Sequence, residues 1–591
     1  MHLRLITIAM ISSCLASAQP SSKTFCNPLN LDYRVRQIKG VWSRHGADPV
    51  VILYKNRYYL FSTWELPGYR VSDDLVNWKA ISFAAPSEIV GKQYTAAAVN
   101  QIGDWLYYTE FGKADKPVAM YRTQDPDSGK WEKCSDLLPP YADPCLFVDP
   151  PTKKIYMYYG LEKPIFGVEL DPNNAFKEVE GTKKQLMPAV DPNAHPADGW
   201  EVCTWDNNEA SKGMRGKGGF NPCREGSWMT FFNGKYYLQY ASPGTTVPGY
   251  ADGLLMGDSP LGPFTYSQQS PISQKDSGFI TSAGHSCLFQ DRYGNWWRAV
   301  TMLIGVHERM ERRIGLFPAG FDKDGIPFTR TDLGDLPITL PAGPRDPAGE
   351  IHPGWYVISE NKPVTASSSL EDHAEKLAAD EDIRTWWSAK TGDAGEWLKI
   401  DLGKVMDVRA VQVNFIEQDY QGSDKIENDY HRFTVSASRD GKEWGQIVDR
   451  SKNDVASPHT YVQLDQPTPA RYLKVENIFT PGNAKFAVSD FRIFGINDGN
   501  VPAPTEYLKA TRDPNDRRIV RLAWKPADGA SSYLIRYGID PAKLYHHYLV
   551  RGGESKELTM YSLNHEPGYY FRIDSLNDSG VTSGAETTEA P

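Results

Sequence analysis

Beyond its first 20 residues the chain has no apolar run of the roughly 20 residues that a membrane-spanning helix needs, so no transmembrane segment is expected. Cysteine is scarce, with 7 in 591 residues, and no C-x-x-C pair occurs, which excludes a disulfide scaffold and the usual zinc sites. Cys203 with Cys223 is one conceivable disulfide in an oxidising compartment, and buried free thiols are the equally weighted alternative. Positive charge is also short: the net charge is −10, and no basic stripe offers itself to phosphates, so nucleic acid is not an expected partner.

What is abundant is Tyr and Trp, 32 and 16 residues, which suit sheet cores and flat, uncharged ligands such as sugar rings. The length predicts three or four domains. The first residues carry Arg4, an apolar stretch to Ile11 and Ala16-Ser17-Ala18, the pattern of a secretory leader over 1–18. Ile11-Ser12-Ser13-Cys14 also fits a lipoprotein box, which would put a lipid anchor on Cys14. The expected location is secreted, periplasmic or cell-surface.

The stretch Glu225 to Ser242 alternates aromatic and polar residues about Asn233-Gly234, the pair that a type I′ hairpin turn requires. Similar frames begin at Asp48, Asp143 and His285, with a weaker copy through Ala97 to Tyr108. Five copies of an all-β unit, spaced by roughly 40 to 80 residues, predict a β-propeller over 24–341. Head residues of the innermost strands then converge on one channel, and here they include Asp48, Asp143, Glu225 and His285. A lone Asp-Pro is usually a turn or strand-start residue. Its recurrence in phase with the other heads makes a site the better reading. The long insertion over 186–223, rich in Gly, Asn, Asp and Trp, is expected to wall the pocket.

In this order and on these frames, Ala47-Asp48-Pro49, Ala142-Asp143-Pro144, Arg224-Glu225-Gly226-Ser227, Gly284-His285-Ser286 and Ser72-Asp73-Asp74-Leu75-Val76-Asn77-Trp78 resemble glycoside hydrolase family 43 over about residues 40–330. The resemblance implies a secreted, exo-acting, inverting hydrolase of terminal sugars in plant-type polysaccharides. An α-L-arabinofuranosidase ranks first, a β-xylosidase second and a galactosidase third, with a non-catalytic carbohydrate-binding protein as the rival class. Carried over by position, Asp48 is the general base, Glu225 the general acid, and Asp143 the residue that orients the acid and raises its pKa. Chemistry asks for the same division: one protonated and one ionised carboxyl on opposite sides of the bond.

The resemblance further implies that His285 binds a central cation or a water beneath the sugar, against the plainer reading of a core histidine. Arg312 or Arg313 would reach into the pocket, and Trp64 would stack on the terminal sugar unless it packs in the core. No cofactor is required. Calcium, or sodium, at the propeller centre and calcium in the next domain are the metals left open. The chain departs from the family pattern in blade two, where Gln93-Tyr94-Thr95-Ala96 replaces the usual Trp-Ala-Pro, and this leaves the sugar undetermined.

Over 353–497, Ala379-Asp380-Glu381-Asp382-Ile383-Arg384-Thr385-Trp386-Trp387, Glu396-Trp397-Leu398-Lys399-Ile400-Asp401-Leu402-Gly403 and Asp490-Phe491-Arg492-Ile493-Phe494-Gly495 resemble the factor 5/8 type C (discoidin) jelly roll. Such a unit is often a carbohydrate-binding module, with a spacer role as the alternative. Trp386 and Trp387 are expected at the core edge, and Asp380 and Asp382 as calcium ligands. Over 501–591, alternating strands with Trp524 and Tyr569 resemble a fibronectin type III sandwich, expected to be a spacer. The whole chain is thus expected to be all-β.

Overall fold

Asn56 and Asn233-Gly234 show why this chain folds as a series of hairpins. Lys55 and Asn56 (φ 46° and 64°) join strands Ala47–Tyr54 and Arg57–Thr63, and Asn233 and Gly234 (φ 46° and 79°) join Glu225–Phe232 and Lys235–Ser242. Two successive positive φ values give the turn whose twist matches that of the flanking strands. The computed structural model describes residues 22–38, 40–63, 67–85, 95–112, 117–162, 164–188, 199–202, 223–422 and 428–591.

Five antiparallel sheets follow one another from residue 47 to residue 329, each added strand by strand in chain order. Their first strands are Ala47–Tyr54, Ala98–Ile102, Cys145–Val148, Glu225–Phe232 and Thr281–Gln290. Each first strand touches the next, and the fifth touches the first, so the sheets close a propeller-like ring. The aromatic residues fill the spaces between sheets. Phe61, Tyr69, Phe83 and Tyr108 pack between the first and second, and Phe147, Tyr158, Tyr236 and Leu238 between the third and fourth. For most of the Tyr and Trp, core packing is therefore their role.

The second region is built on three long strands, Trp397–Phe415, His459–Phe479 and Ala487–Ile496, with Arg432–Ser438 and Gly445–Asp449 continuing the sheet. Register shifts between Asp401 and Met406 and between Val408 and Ala410 bend the long strands, letting one strand serve both faces of a jelly roll. Trp387 lies wholly inside this core, and Trp386 stacks on His373 at its edge, with ring centroids 4.3 Å apart. The third region has a three-stranded sheet (Glu506–Arg512, Val520–Lys525, Glu557–Met560) and a second sheet centred on Ser532–Gly538 and Tyr569–Asn577. Trp524, Tyr533 and Tyr569 belong to its core.

Neither C-terminal region hangs free as a spacer. Arg536 bridges Asp332 of the propeller-like region and Asp574 of its own sheet, at 2.8 and 2.7 Å, and Lys543 pairs with Asp322 at 2.8 Å. From the jelly roll, Arg492 donates to the carbonyl of Asp335 at 2.7 Å and lies over the Phe279 ring at 4.2 Å. The described cysteines Cys26, Cys134, Cys145, Cys223 and Cys287 are free thiols, and Cys203, the expected partner of Cys223, lies outside the described residues.

Replacing Gly234 by Ala places a Cβ in the left-handed region at open surface, at a cost of about 1 kcal/mol. Urea denaturation of Gly234→Ala is expected to show that loss of stability, with no change in any glycan chemistry, because the turn stands at the far end of its strands from the head residues.

Candidate active site

A recurrent backbone kink brings the site together. Asp48, Ala96, Asp143 and His285 all have positive φ (53°, 40°, 47° and 42°), and each stands at or just before the start of the first strand of its sheet or within a register shift of that strand. A bulge with a left-handed residue turns a side chain out of the pleat, and Asp and His tolerate that conformation better than most residues. In the fourth sheet the left-handed position falls on Gly226 (φ 59°), one residue after Glu225. Glu225 is therefore offset by one from the phase that the sequence suggested. The reason is steric: a Cβ on Gly226 would stand 2.6 Å from Cγ of His285, so only glycine fits against that ring.

His285 is the hub. Its Nδ1 lies 3.1 Å from Oδ1 of Asp48 and 4.0 Å from Oδ2 of Asp143. Donor atoms of His285, Asp143 and Glu225 lie within 4.8 Å of one another. Burial by itself would discharge the imidazole, but Asp48 above all, then Asp143 and Glu225, push it up to about 10, so the ring is an imidazolium at neutral pH.

The carboxyls around it differ. Burial favours the neutral form of Asp48, yet Arg312 (Nη1 at 3.4 Å) and His285 outweigh it and hold the group well below the usual carboxylate range. Thr63 donates to its Oδ2 at 2.5 Å, and Asp48 N–H donates to Thr301 Oγ1 at 2.8 Å. Asp143 goes the other way. Burial raises it most, and the nearby charges of Glu225 and Asp48 add to that, against the pull of His285. Asp143 therefore retains a proton under conditions where Asp48 has none.

Glu225 accepts from Tyr250 O–H at 2.5 Å on Oε1 and from the Cys223 thiol at 3.4 Å on Oε2. Burial, and then the Glu225 carboxylate, keep that thiol protonated and thus able to donate. Neither Tyr250 nor Cys223 carried a sequence signal. Tyr250 lies at a strand start in the fourth sheet, and the spacing Cys223-Arg224-Glu225 is the only hint of the second.

Of the two candidate arginines, Arg312 faces the site, donating also to Thr245 Oγ1 at 3.2 Å, while Arg313 points to the opposite side of the strand, as alternation demands. Only Gly199–Val202 of the 186–223 insertion's central part is described; there Glu201 binds Arg224, the neighbour of Glu225, through two 2.9 Å contacts. Trp64 lies outside the described residues.

Residues 39–327 match the family model "Glycosyl hydrolases family 43", and residues 363–500 match "F5/8 type C domain". The β-xylosidase of Xylanibacter ruminicola is 30% identical over 205 residues, which are 32% of this chain and 56% of that protein. The chain thus spans a little over half the length of that curated relative. Among solved structures, a glycoside hydrolase aligns at 17% identity and a TM-score of 0.44, over 76% of this chain and 97% of its own. The Bacteroides ovatus protein titled Xyloglucan PUL GH43B aligns at 15% identity and a TM-score of 0.40, over 96% and 98% of the two chains. Residues 39–327, which carry Asp48, Asp143, Glu225 and His285 on their kinked strand heads, are a glycosyl hydrolase family 43 domain, and residues 363–500 are an F5/8 type C domain.

Proposed function

We propose that this chain is an exo-acting, inverting glycosidase that removes a terminal pentose from plant-type oligosaccharides or polysaccharides. The observation that carries the reading is the split among the buried carboxyls: Asp48 held ionised between Arg312 and His285, and Asp143, beside Glu225, pushed up toward its protonated form. That is the division of labour single displacement needs. Asp48 takes a proton from a water as its oxygen attacks the anomeric carbon, and Glu225 gives its proton to the departing glycosidic oxygen. The aglycone leaves as an alcohol and the sugar inverts. Asp143 keeps the proton available to Glu225, and Tyr250 and Cys223 orient the Glu225 carboxyl.

The similarity to a β-xylosidase favours β-xylose over the α-L-arabinofuranose that the sequence motifs placed first. Arg312, beside Asp48, and His285, beneath the channel, are positioned to contact the sugar. Export rests on the leader pattern of residues 1–18, which lie outside the described residues. A fibronectin type III-like reading of residues 501–591 is supported by the two sheets and by the strand order His546–Arg551, Ser532–Gly538, Tyr569–Asn577, Gly580–Thr582.

Calcium would find carboxylate donors at the channel and in the jelly roll. At the centre, Asp143, Glu225 and His285 offer donor atoms within 4.8 Å of one another, and a cation there would require His285 as a neutral ring. In the jelly roll, Asp490 is fully buried, its Oδ1 has no partner, and its carboxyl is pushed far up by burial and then by Glu381. Asp380, raised to about 6 by burial, is near enough to add to the rise of Asp490, and the two would be ligands. Asp382, expected as a ligand, pairs with Arg384 at 2.8 Å instead. If a calcium is held there, chelation should lower the melting temperature of the full chain, and added calcium should restore it. An unchanged melt would remove the ion.

Release of monosaccharide from a panel of 4-nitrophenyl glycosides and plant oligosaccharides tests the function. Wild type should release xylose or arabinose with inverted anomeric configuration by NMR, and Glu225→Gln should lose at least about 10²-fold in kcat on substrates with poor leaving groups. Binding without release by the wild type would favour a carbohydrate-binding protein. The pH profile tests the carboxyl split. Asp48 must be ionised, and Arg312 holds its pKa down, so in Arg312→Met the acidic limb should move to higher pH while the alkaline limb, set by the proton on Asp143, moves less.

A further inference from the structure

Two arginines lie directly behind the site. Arg44, four residues before Asp48, and Arg313, next to Arg312, are 0% and 2% exposed. They tie the two site-bearing segments together: Arg313 Nη1 donates to the Arg44 carbonyl at 2.5 Å, and Gly46 N–H donates to the Arg312 carbonyl at 3.1 Å. Their guanidinium groups find partners in both domains: the Tyr33 carbonyl accepts from Arg44 Nη1 at 2.5 Å, and further partners come from the F5/8 type C domain. Arg44 Nε donates to Glu417 Oε1, and Arg44 Nη2 to the Asp429 carbonyl at 2.8 Å. Arg313 Nε donates to His459 Nε2 at 2.8 Å, and its charge partner is Glu311, just before its own strand, at 3.3 Å from Nη2.

His459 can accept that bond only as a neutral ring protonated on Nδ1, and Asn414 Oδ1, at 2.9 Å, selects this tautomer. Burial, followed by Arg313 and Arg44, holds the ring far below its ordinary pKa, in keeping with that role. Glu417 reaches the site by a second route. Its carbonyl lies 2.7 Å from His307 Nε2, on the same loop whose Met310 carbonyl accepts from Arg312 Nε at 3.2 Å and lies 3.0 Å from His45 Nδ1.

We propose that the F5/8 type C domain is a working part of the active site, in which Glu417 and His459 are positioning residues that hold Arg44 and Arg313, and through them Asp48 and Arg312. The inference rests on the glycosidase reading of that site and goes beyond a role for the domain as a separable binding module. Without the Glu417 carboxylate Arg44 is an unpaired buried charge, and without His459 the Arg313 Nε–H loses its buried acceptor, so the backbone that carries them must move. A displacement of about 1 Å at a reacting group can cost on the order of 10²-fold in rate. Neither Glu417 nor His459 touches the channel, so substrate binding should be little affected.

The test uses the full chain with His459→Ala, His459→Gln and Glu417→Gln, each checked for folding by its melt. In His459→Ala and Glu417→Gln, kcat on the substrate that wild type cleaves should fall by roughly 10- to 100-fold, with KM nearly unchanged and the acidic limb moved to higher pH. His459→Gln, whose amide can accept from Arg313 and donate to Asn414, should recover most of the kcat. Wild-type kcat and acidic limb in both disrupting variants, or a loss confined to KM, would overturn the proposal. So would equal losses in His459→Ala and His459→Gln. Should His459→Ala not fold, the same two outcomes in Glu417→Gln decide.

A readout independent of turnover separates this from failure of the glycosidase reading. The groups facing His285 are Asp48, Asp143 and Glu225, and its titration near 10 depends first on Asp48. ¹⁵N-histidine NMR should show that titration falling toward the ordinary histidine value in a disrupting variant even if wild type cleaves no glycoside on the panel. An unmoved titration would overturn the brace.

Discussion

One buried positive charge organises the channel. Three carboxyls gathered in a low-dielectric space repel one another, and without a counter-charge all would be driven toward their neutral forms. The imidazolium of His285, 3.1 Å from Asp48 and 4.0 Å from Asp143, breaks that symmetry. With Arg312 on the same side it favours ionisation of Asp48, while Asp143, farther from these charges and nearer to Glu225, stays high. Arg312 and His285, both on the side of Asp48, thus separate an acid from a base.

That placement depends on backbone strain. A non-glycine residue with positive φ costs energy, and the chain bears it at Asp48, Asp143 and His285 because the closed ring of strands leaves no relaxed alternative. In blade two the same kink carries Ala96, a head without chemistry, whose N–H instead donates to Thr63 Oγ1 at 2.9 Å; that hydroxyl is the one that holds Asp48. A position that is chemically silent in the sequence still takes part in positioning the base.

Buried ions join the three regions. Arg44, Arg313, Arg492 and Arg536 each join residues from two regions. A buried ion pair adds little net stability over a well-packed apolar contact, but it tolerates only one arrangement of its partners. Such contacts specify how the regions sit on one another, and they turn the jelly roll and the last sandwich from appendages into walls of one body.

The repeat of hairpins, the turn pair Asn233-Gly234 and the carboxylates at the strand heads were legible in the sequence, because period-two alternation and turn chemistry are local. So was the family, through short motifs that recur in phase. Three things were not. The one-residue offset of Glu225 depends on the room that the His285 ring takes from Gly226. The choice of Arg312 over Arg313 depends on which face of the strand meets the channel. The roles of Tyr250, Cys223, Glu417 and His459 depend on contacts between segments from 25 to 373 residues apart, or, for Cys223, on a bulge that turns the strand. Sequence by itself determined which chemical groups are present and the periodicity that folds them into strands. Only the tertiary structure decided their distances, and with them which carboxyl keeps its proton, because electrostatic coupling depends on separation and burial rather than on order along the chain.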